Sequence, residues 1–161
     1  MIQLQPWTED DMPLLAALNS LEMTEHLGGP ESPAQLEKRL QRYAAAQSDA
    51  VSMFKVLVDG APAGSVGFWE RDWRGTTVYE TGWGILPEFQ GRGVASQATS
   101  VAIGIARATG RNEAIHAFPS IDNGPSNSIC RKLGFELLGA CEFEYPKGHW
   151  ALSNDWRLSL R

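Results

Sequence analysis

Hydrophobic positions in this chain change period several times, and each change marks an element. Ile2–Pro6 alternates and reads as a short strand. Thr8-Glu9-Asp10-Asp11 follows with a side-chain cap and acids in the first turn, the pattern of a helix start. Leu14, Leu15, Leu18 and Leu21 supply that helix with an inward stripe, and Gly28-Gly29-Pro30 ends the region. A second helix opens at Ser32-Pro33-Ala34-Gln35, where Ser32 caps, Pro33 sits at the first helical position and Gln35 closes a capping box. It is predicted to run to about Ala46, with Leu36, Leu40 and Tyr43 facing inward.

The period then becomes alternating. Val51–Val58 reads as a strand, Asp59-Gly60 as a hairpin turn and Ala63–Glu70 as its partner. Trp73-Arg74-Gly75 marks another turn, Thr77–Leu86 is a third strand, and the short turns make the three an antiparallel meander. Pro87 ends it. A glycine-rich turn leads into a long helix from about Gly93 to Thr109, slim along Ala95, Ala98, Ala102 and Ala106. Gly110 stops that helix. Glu113–Phe118 is a strand, Pro125–Leu133 a short helix ended by Gly134, and Phe135–Glu144 and Trp150–Leu160 are two final strands. The order βααβββαβαββ predicts an α/β (α+β) architecture: a mixed, mostly antiparallel sheet with helices on both faces, residues 1–161 forming one domain.

A length of 161 residues suits a single core, and no repeat or linker interrupts it. The net charge of −5 argues against nucleic acid or an anionic membrane as partner and tilts the expectation toward cationic ones such as amines. Cys130 and Cys141 cannot form a dense disulfide framework, and both are expected as reduced thiols in a cytoplasmic protein. The polar N-terminus lacks the basic start and apolar core of a secretion signal, and no apolar run is long enough to span a bilayer. Three histidines, with no close grouping of His, Cys and carboxylates, predict no metal site.

The densest chemical signal is Leu86-Pro87-Glu88-Phe89-Gln90-Gly91-Arg92-Gly93-Val94-Ala95-Ser96. A loop between a strand end and a helix start leaves backbone N–H groups unpaired, and the helix dipole adds positive potential, so the turn suits phosphate. Gly91, Gly93 and Ala95 are small enough to let a phosphate approach the backbone. A Walker loop would need Gly-Lys-Ser/Thr, which is absent. A dinucleotide fingerprint would need a third glycine where Ser96 stands and a βαβ unit where the meander stands, although Glu113 lies at a suitable distance. A third reading is the pyrophosphate of coenzyme A, carried by Gln-x-x-Gly-x-Gly/Ala, and an ordinary tight turn is the alternative to all three.

Downstream lies Asn123-Gly124-Pro125-Ser126-Asn127-Ser128-Ile129-Cys130-Arg131-Lys132-Leu133-Gly134-Phe135. Together, Gln90–Ala95 and this segment, one long helix and one strand apart, resemble the two signature segments of the GNAT superfamily of N-acetyltransferases, over nearly the whole chain. The run Tyr79–Ser96 and the tail ending in Asn154-Asp155-Trp156-Arg157-Leu158 resemble the branch that holds the ribosomal-protein N-terminal acetyltransferases and many small-molecule relatives. The resemblance implies that acetyl-CoA is the co-substrate. Ile85 and Leu86 would offer backbone groups to the pantetheine arm at a splayed sheet edge. Gln90, Gly91, Arg92, Gly93, Val94, Ala95 and Ser96 would cradle the pyrophosphate, and Asn123 and Ser126 would sit beside the pantetheine and thioester. Arg131 and Lys132 read either as phosphate contacts or as solvated helix charges.

Acetyl transfer needs a neutral amine, a polarised carbonyl and a proton for the leaving thiolate. Glu80, an acid inside an apolar strand, is the first candidate base, with Glu142 and Glu144 as rivals. A backbone N–H near Ile85 would stabilise the oxyanion. Many members of the resembled family carry tyrosine seven residues after the motif asparagine, where this chain has Cys130. That departure leaves Ser126 as the candidate donor to the thiolate, and Cys130 reads as a buried small hydrophobe. His116 reads as a satisfied sheet histidine, and Trp83, on the strand face of Ile85, as a candidate lining of the acceptor pocket. Glu22, Glu25 and His26, in the loop Glu22–Glu31, read either as contacts for a cationic substrate or as exposed polar loop residues. The expected acceptor is a small-molecule amine, reached by direct transfer in a ternary complex. A peptide N-terminus is the alternative acceptor, a non-catalytic acyl-CoA-binding module is the reading from another class, and a homodimer is an open assembly.

Overall fold

The computed structural model describes residues 1–161. Strand β1 (Ile2–Pro6) leads to Thr8, whose hydroxyl accepts from the Asp10 N–H while the Asp11 carboxylate accepts from the Thr8 N–H at 2.7 Å. This capping box opens one 3-10 turn, Glu9–Asp11, continuous with helix α1 (Met12–Leu18). The helix stops short of Leu21, which is 78% exposed and no part of the buried stripe expected for it. The cause is Asn19. Its side chain donates to the Glu31 carbonyl at 2.9 Å and accepts from the Glu31 N–H at 2.8 Å, turning the chain away toward helix α2 (Pro33–Ala45). Helix α2 starts where Ser32 and Gln35 form their reciprocal box, and it buries Leu36 and Leu40.

Strands β2 (Val51–Val58), β3 (Ala61–Trp73) and β4 (Thr76–Ile85) form the meander. The turns between them are Asp59-Gly60 and Arg74-Gly75, all four residues at positive φ, the geometry that suits strand twist. Such two-residue turns let pairing run right up to them, so β3 extends beyond the expected Ala63–Glu70 at both ends. A 3-10 turn (Pro87–Phe89), helix α3 (Val94–Ala108), strand β5 (Ala114–Ala117), helix α4 (Gly124–Lys132) and strands β6 (Glu136–Glu144) and β7 (Trp150–Ser159) complete the order.

The seven strands form one sheet ordered β1-β2-β3-β4-β5-β7-β6. Only β4 and β5 are parallel, and they pair at just two positions, Tyr79↔Ile115 and Glu80↔His116. Beyond Glu80 both strands continue but part company. Helices α3 and α4 cover one face, where Phe68, Tyr79, Ile103, Ile115, Cys130 and Trp156 form one core and Val56, Val66, Ala98 and Ala102 another. The small face of α3 is closely packed: Ala98, Ala102 and Ala106 are at most 1% exposed. Helices α1 and α2 cover the opposite face over β2 and β3, packing Leu14, Leu15, Leu36 and Leu40 on Met53 and Trp69. Over β4, β5, β7 and β6 that second face carries no helix.

Candidate active site

Strand parity decides what the parted end of β4 exposes. The Leu86 N–H donates to Ala63 O at 2.8 Å, so alternate residues counted back from Leu86 bond to β3. The N–H and C=O groups of Trp83 and Ile85 therefore point into the gap between β4 and β5. The Gln90 side chain takes the Ile85 carbonyl at 2.8 Å, leaving the Ile85 N–H and both Trp83 groups available. Leu86 differs from the expectation for it. Its N–H is held by Ala63 and its carbonyl accepts from Phe89 N–H at 2.9 Å, so its backbone is engaged inside the protein.

The gap leads to the glycine-rich turn. Gly91 and Gly93 have φ of +77° and +75°, a left-handed conformation that glycine adopts without steric penalty. Glycine is thus needed at both positions for the turn itself, whatever approaches the backbone. The turn and first helical residues, Gly91 through Ser96, donate no N–H to any turn, loop or cap carbonyl; the first such bond comes from Gln97 to Gly93 O. Six amides and a helix start converge there, an anion cradle whose donors are uncommitted. Val94 and Ser96 bury their side chains, so they present backbone only, and Arg92 folds back to donate to Glu88 O at 3.2 Å.

On the other side of the parting strands stands Glu80, its side chain 13% exposed, accepting from Arg71 Nη1 at 2.7 Å. Burial pushes its carboxyl above the ordinary range, and the Arg71 guanidinium opposes that shift. Arg71 is itself packed against Trp73, Phe118 and Phe143, its guanidinium carbon 4.6 Å from the Phe143 ring centre. Gly82, next on the same face, is overlain by Trp69, and a Cβ there would lie 3.1 Å from the Trp69 ring. Leu18 and Met23 stand over Gly84. The loop joining α1 and α2 is tied to its surroundings. His26 lies 3.3 Å from the Asp122 carboxylate, Gly28 abuts Pro146 and His149, and Arg39 Nη2 donates to the Tyr145 hydroxyl at 3.1 Å. The β6–β7 connection therefore closes over the same space.

Asn123 caps α4, accepting from Ser126 N–H at 3.2 Å, and the half-buried Ser126 hydroxyl makes no hydrogen bond within the protein. Asn127, which the sequence reading passed over, anchors this helix start: it donates to Ser120 O and Asn123 O and accepts from Asn154 and Trp156 at 2.8 Å each. Cys130 is fully buried, and burial pushes its thiol up to about 12, so it is inert packing. Glu142 and Glu144 are exposed on the strand face opposite Phe143, and Glu144 accepts from Gly148 N–H at 2.9 Å. Trp83 departs from its expected place. It shares the face of Ile85, but that face is the α3 side, where it packs on the two cores and not on the acceptor space. Arg131 and Lys132 are exposed in the last turn of α4, and Arg131 stacks over Trp156. Glu22 and Glu25 are exposed. Arg71 carries no sequence signal, and Asp155, quoted above only as part of the tail, holds His116 Nδ1 at 2.6 Å. No group of three or more His, Cys, Asp or Glu side chains is gathered as a metal site, and no helix is long and apolar enough to cross a membrane.

A sheet that opens between two parallel strands, with an amide cradle at one end of the opening, is the architecture of a transferase that draws in an extended acyl-CoA. The acetyltransferase (GNAT) domain family matches residues 2–136, and the chain belongs to that family of acetyl-CoA-dependent N-acetyltransferases. Among solved structures, a GNAT-family acetyltransferase from Bacillus anthracis is 18% identical, with a TM-score of 0.82 over 99% of this chain and 95% of that one. An acetyltransferase from Salmonella typhimurium that modifies the N-terminal serine of a 50S ribosomal subunit protein is 20% identical, with a TM-score of 0.80 over 98% and 94%. An aminoglycoside acetyltransferase in complex with coenzyme A is 19% identical, with a TM-score of 0.81 over 99% and 95%. At these identities the likeness is one of fold. No curated protein gives a significant match.

Proposed function

We propose that residues 1–161 act as one domain that passes the acetyl group of acetyl-CoA to the amine of a small molecule, by direct attack in a ternary complex. The observation that carries this reading is the position of Glu80, a buried carboxylate at the point where β4 and β5 separate, on the face opposite α3. Gly91, Arg92, Gly93, Val94, Ala95 and Ser96 hold the diphosphate through their free amides, Gln90 braces the turn with its N–H on Pro87 O and its side chain on Ile85 O, and Ile85 with Trp83 aligns the arm along the open strand edge. Asn123 shapes the start of α4 beside it. Acetyl-CoA supplies the activated acyl carbon. Glu80 accepts a proton from the amine so that its lone pair can form the new C–N bond as the C–S bond breaks. A strand N–H in the gap polarises the carbonyl, and the Ser126 hydroxyl lies free to donate to the departing sulfur.

The tied loops favour a small acceptor. His26–Asp122 and the Gly28 contact with Pro146 join the α1–α2 loop to both neighbouring loops, and Arg39 of α2 holds Tyr145 from the side, ties that support a narrow acceptor mouth. A mass-spectrometric screen of amines and of peptides with free N-termini, each with acetyl-CoA, tests this. Acetylation of small amines is expected. Modification of peptide N-termini alone would transfer the chain to the other acceptor class, and tight coenzyme A binding with no acceptor turned over would mark a non-catalytic module.

A further inference from the structure

The mechanism above leaves one buried titratable pair unused. His116 is 4% exposed and Asp155 is 1% exposed, with His116 Nδ1 2.6 Å from Asp155 Oδ1. A carboxylate can only accept, so Nδ1 carries the proton and the ring is held in one tautomer. Asp155 Oδ2 accepts from Trp73 Nε1 at 2.9 Å, which fixes the carboxylate in turn. His116 Nε2 has no partner in the protein. The ring forms part of the floor of a cleft of about 480 Å³ on the helix-free part of the sheet.

The cleft's rim is basic. Arg74, Arg111 and Arg157 line it. Arg111 is bound to Glu70 at 2.9 Å, but Arg157 has no carboxylate partner and Arg74 approaches only Asp155, at 4.0 Å. The acids of the lining are both occupied, Asp155 by His116 and Trp73, and Glu113 by Arg161. Two guanidinium groups and one imidazole nitrogen thus face one space in a chain whose net charge is −5. The cleft adjoins the proposed base but not the cofactor cradle: His116 pairs with Glu80 across β4 and β5, and Val78 is two residues from Glu80 on the same strand face. Val78 on the cleft wall is seven residues from Ile85, about 23 Å along β4. Arg71, which covers Glu80, stacks on Trp73, itself part of the cleft lining.

We infer that this cleft is a second anion site that takes the phosphate group of a small phosphate monoester, with His116 Nε2 as the anchor on its floor and Arg74 and Arg157 as its charged rim. A monoester whose second pKa is about 6 still carries a proton part of the time near neutral pH. It can donate that proton to the Nε2 lone pair while its other oxygens meet the two guanidinium groups. A carboxylate has no proton to give to Nε2.

The test uses ¹⁵N-labelled protein saturated with acetyl-CoA, so that the cradle at α3 is filled. Titration with phenyl phosphate, inorganic phosphate and acetate at constant ionic strength is followed at His116 Nε2 and Arg157 Nε. The expected result is a saturable shift with phenyl phosphate at least as tight as with inorganic phosphate, and none with acetate. Arg74→Gln and Arg157→Gln should each weaken it roughly tenfold while leaving KM for acetyl-CoA unchanged. Absence of saturation, equal response to acetate, binding of inorganic phosphate alone, or binding indifferent to both arginine variants would each overturn the inference.

Discussion

The two ends of β4 carry opposite fates for one strand. From Thr76 to Glu80 it is paired on both sides or sealed by ion pairs: Tyr79 and Glu80 meet β5, Tyr79 donates to Asp49 O at 2.5 Å, and Arg71 covers Glu80. From Thr81 to Ile85 it keeps β3 as a neighbour but loses β5, so its outward N–H and C=O groups open onto a gap. The backbone is equally regular in both halves. What differs is β5, only four residues long, after which Pro119 and the α4 start draw the chain aside. An unpaired strand edge is usually a liability, and here it is the part that can hold a cofactor arm.

Several substitutions break or sharpen that contrast. The largest effect is expected at the boundary itself, where Glu80→Gln should lower kcat/KM on the order of 10²–10³-fold at neutral pH. The loss should shrink at alkaline pH as the free amine needs less help; a variant at full rate would move the base elsewhere. At the open end, Gly93→Ala forces a Cβ onto a backbone at φ +75°. Strain of about 1–2 kcal/mol predicts roughly tenfold weaker coenzyme A binding by calorimetry with the sheet intact.

Arg71→Gln addresses the closed end. Glu80 must be ionised to act, burial raises its pKa and Arg71 lowers it. Removing Arg71 takes away the largest effect set against burial, so the acidic limb of the kcat/KM profile should move to higher pH. An unmoved limb would dissociate Arg71 from the base. Cys130→Ala should keep near-normal kcat while lowering stability by about 1 kcal/mol in urea titrations, because a packed atom is lost but no acid is. The smallest change is Gly104→Ala, at an α3 position where an added Cβ meets nothing within 4 Å. It should raise stability by roughly 0.5–1 kcal/mol and leave coenzyme A affinity unaltered.

Much of the fold was legible along the chain because its signals are local. The Thr8 and Ser32 boxes, the Asp59-Gly60 turn and the small face of α3 each depend on residues a few positions apart. The amide-rich turn was legible for the same reason, since a strand end, two glycines and a helix start are contiguous. Leu21 misled because helical spacing continues past the point where Asn19 reaches twelve residues onward to Glu31. Trp83 misled because alternation assigns residues to common faces without saying which face meets the acceptor.

The amino-acid order by itself therefore determined the elements, their sequence and the amide-rich turn before α3, since hydrogen bonding and steric limits within a few residues decide those. Only the tertiary structure decided where β4 and β5 separate, that Arg71 rather than solvent faces Glu80, and that Asp155 meets His116 across 39 positions of chain. Those outcomes depend on strand order and on which face stays uncovered. Packing of distant segments sets them, and no local pattern encodes it.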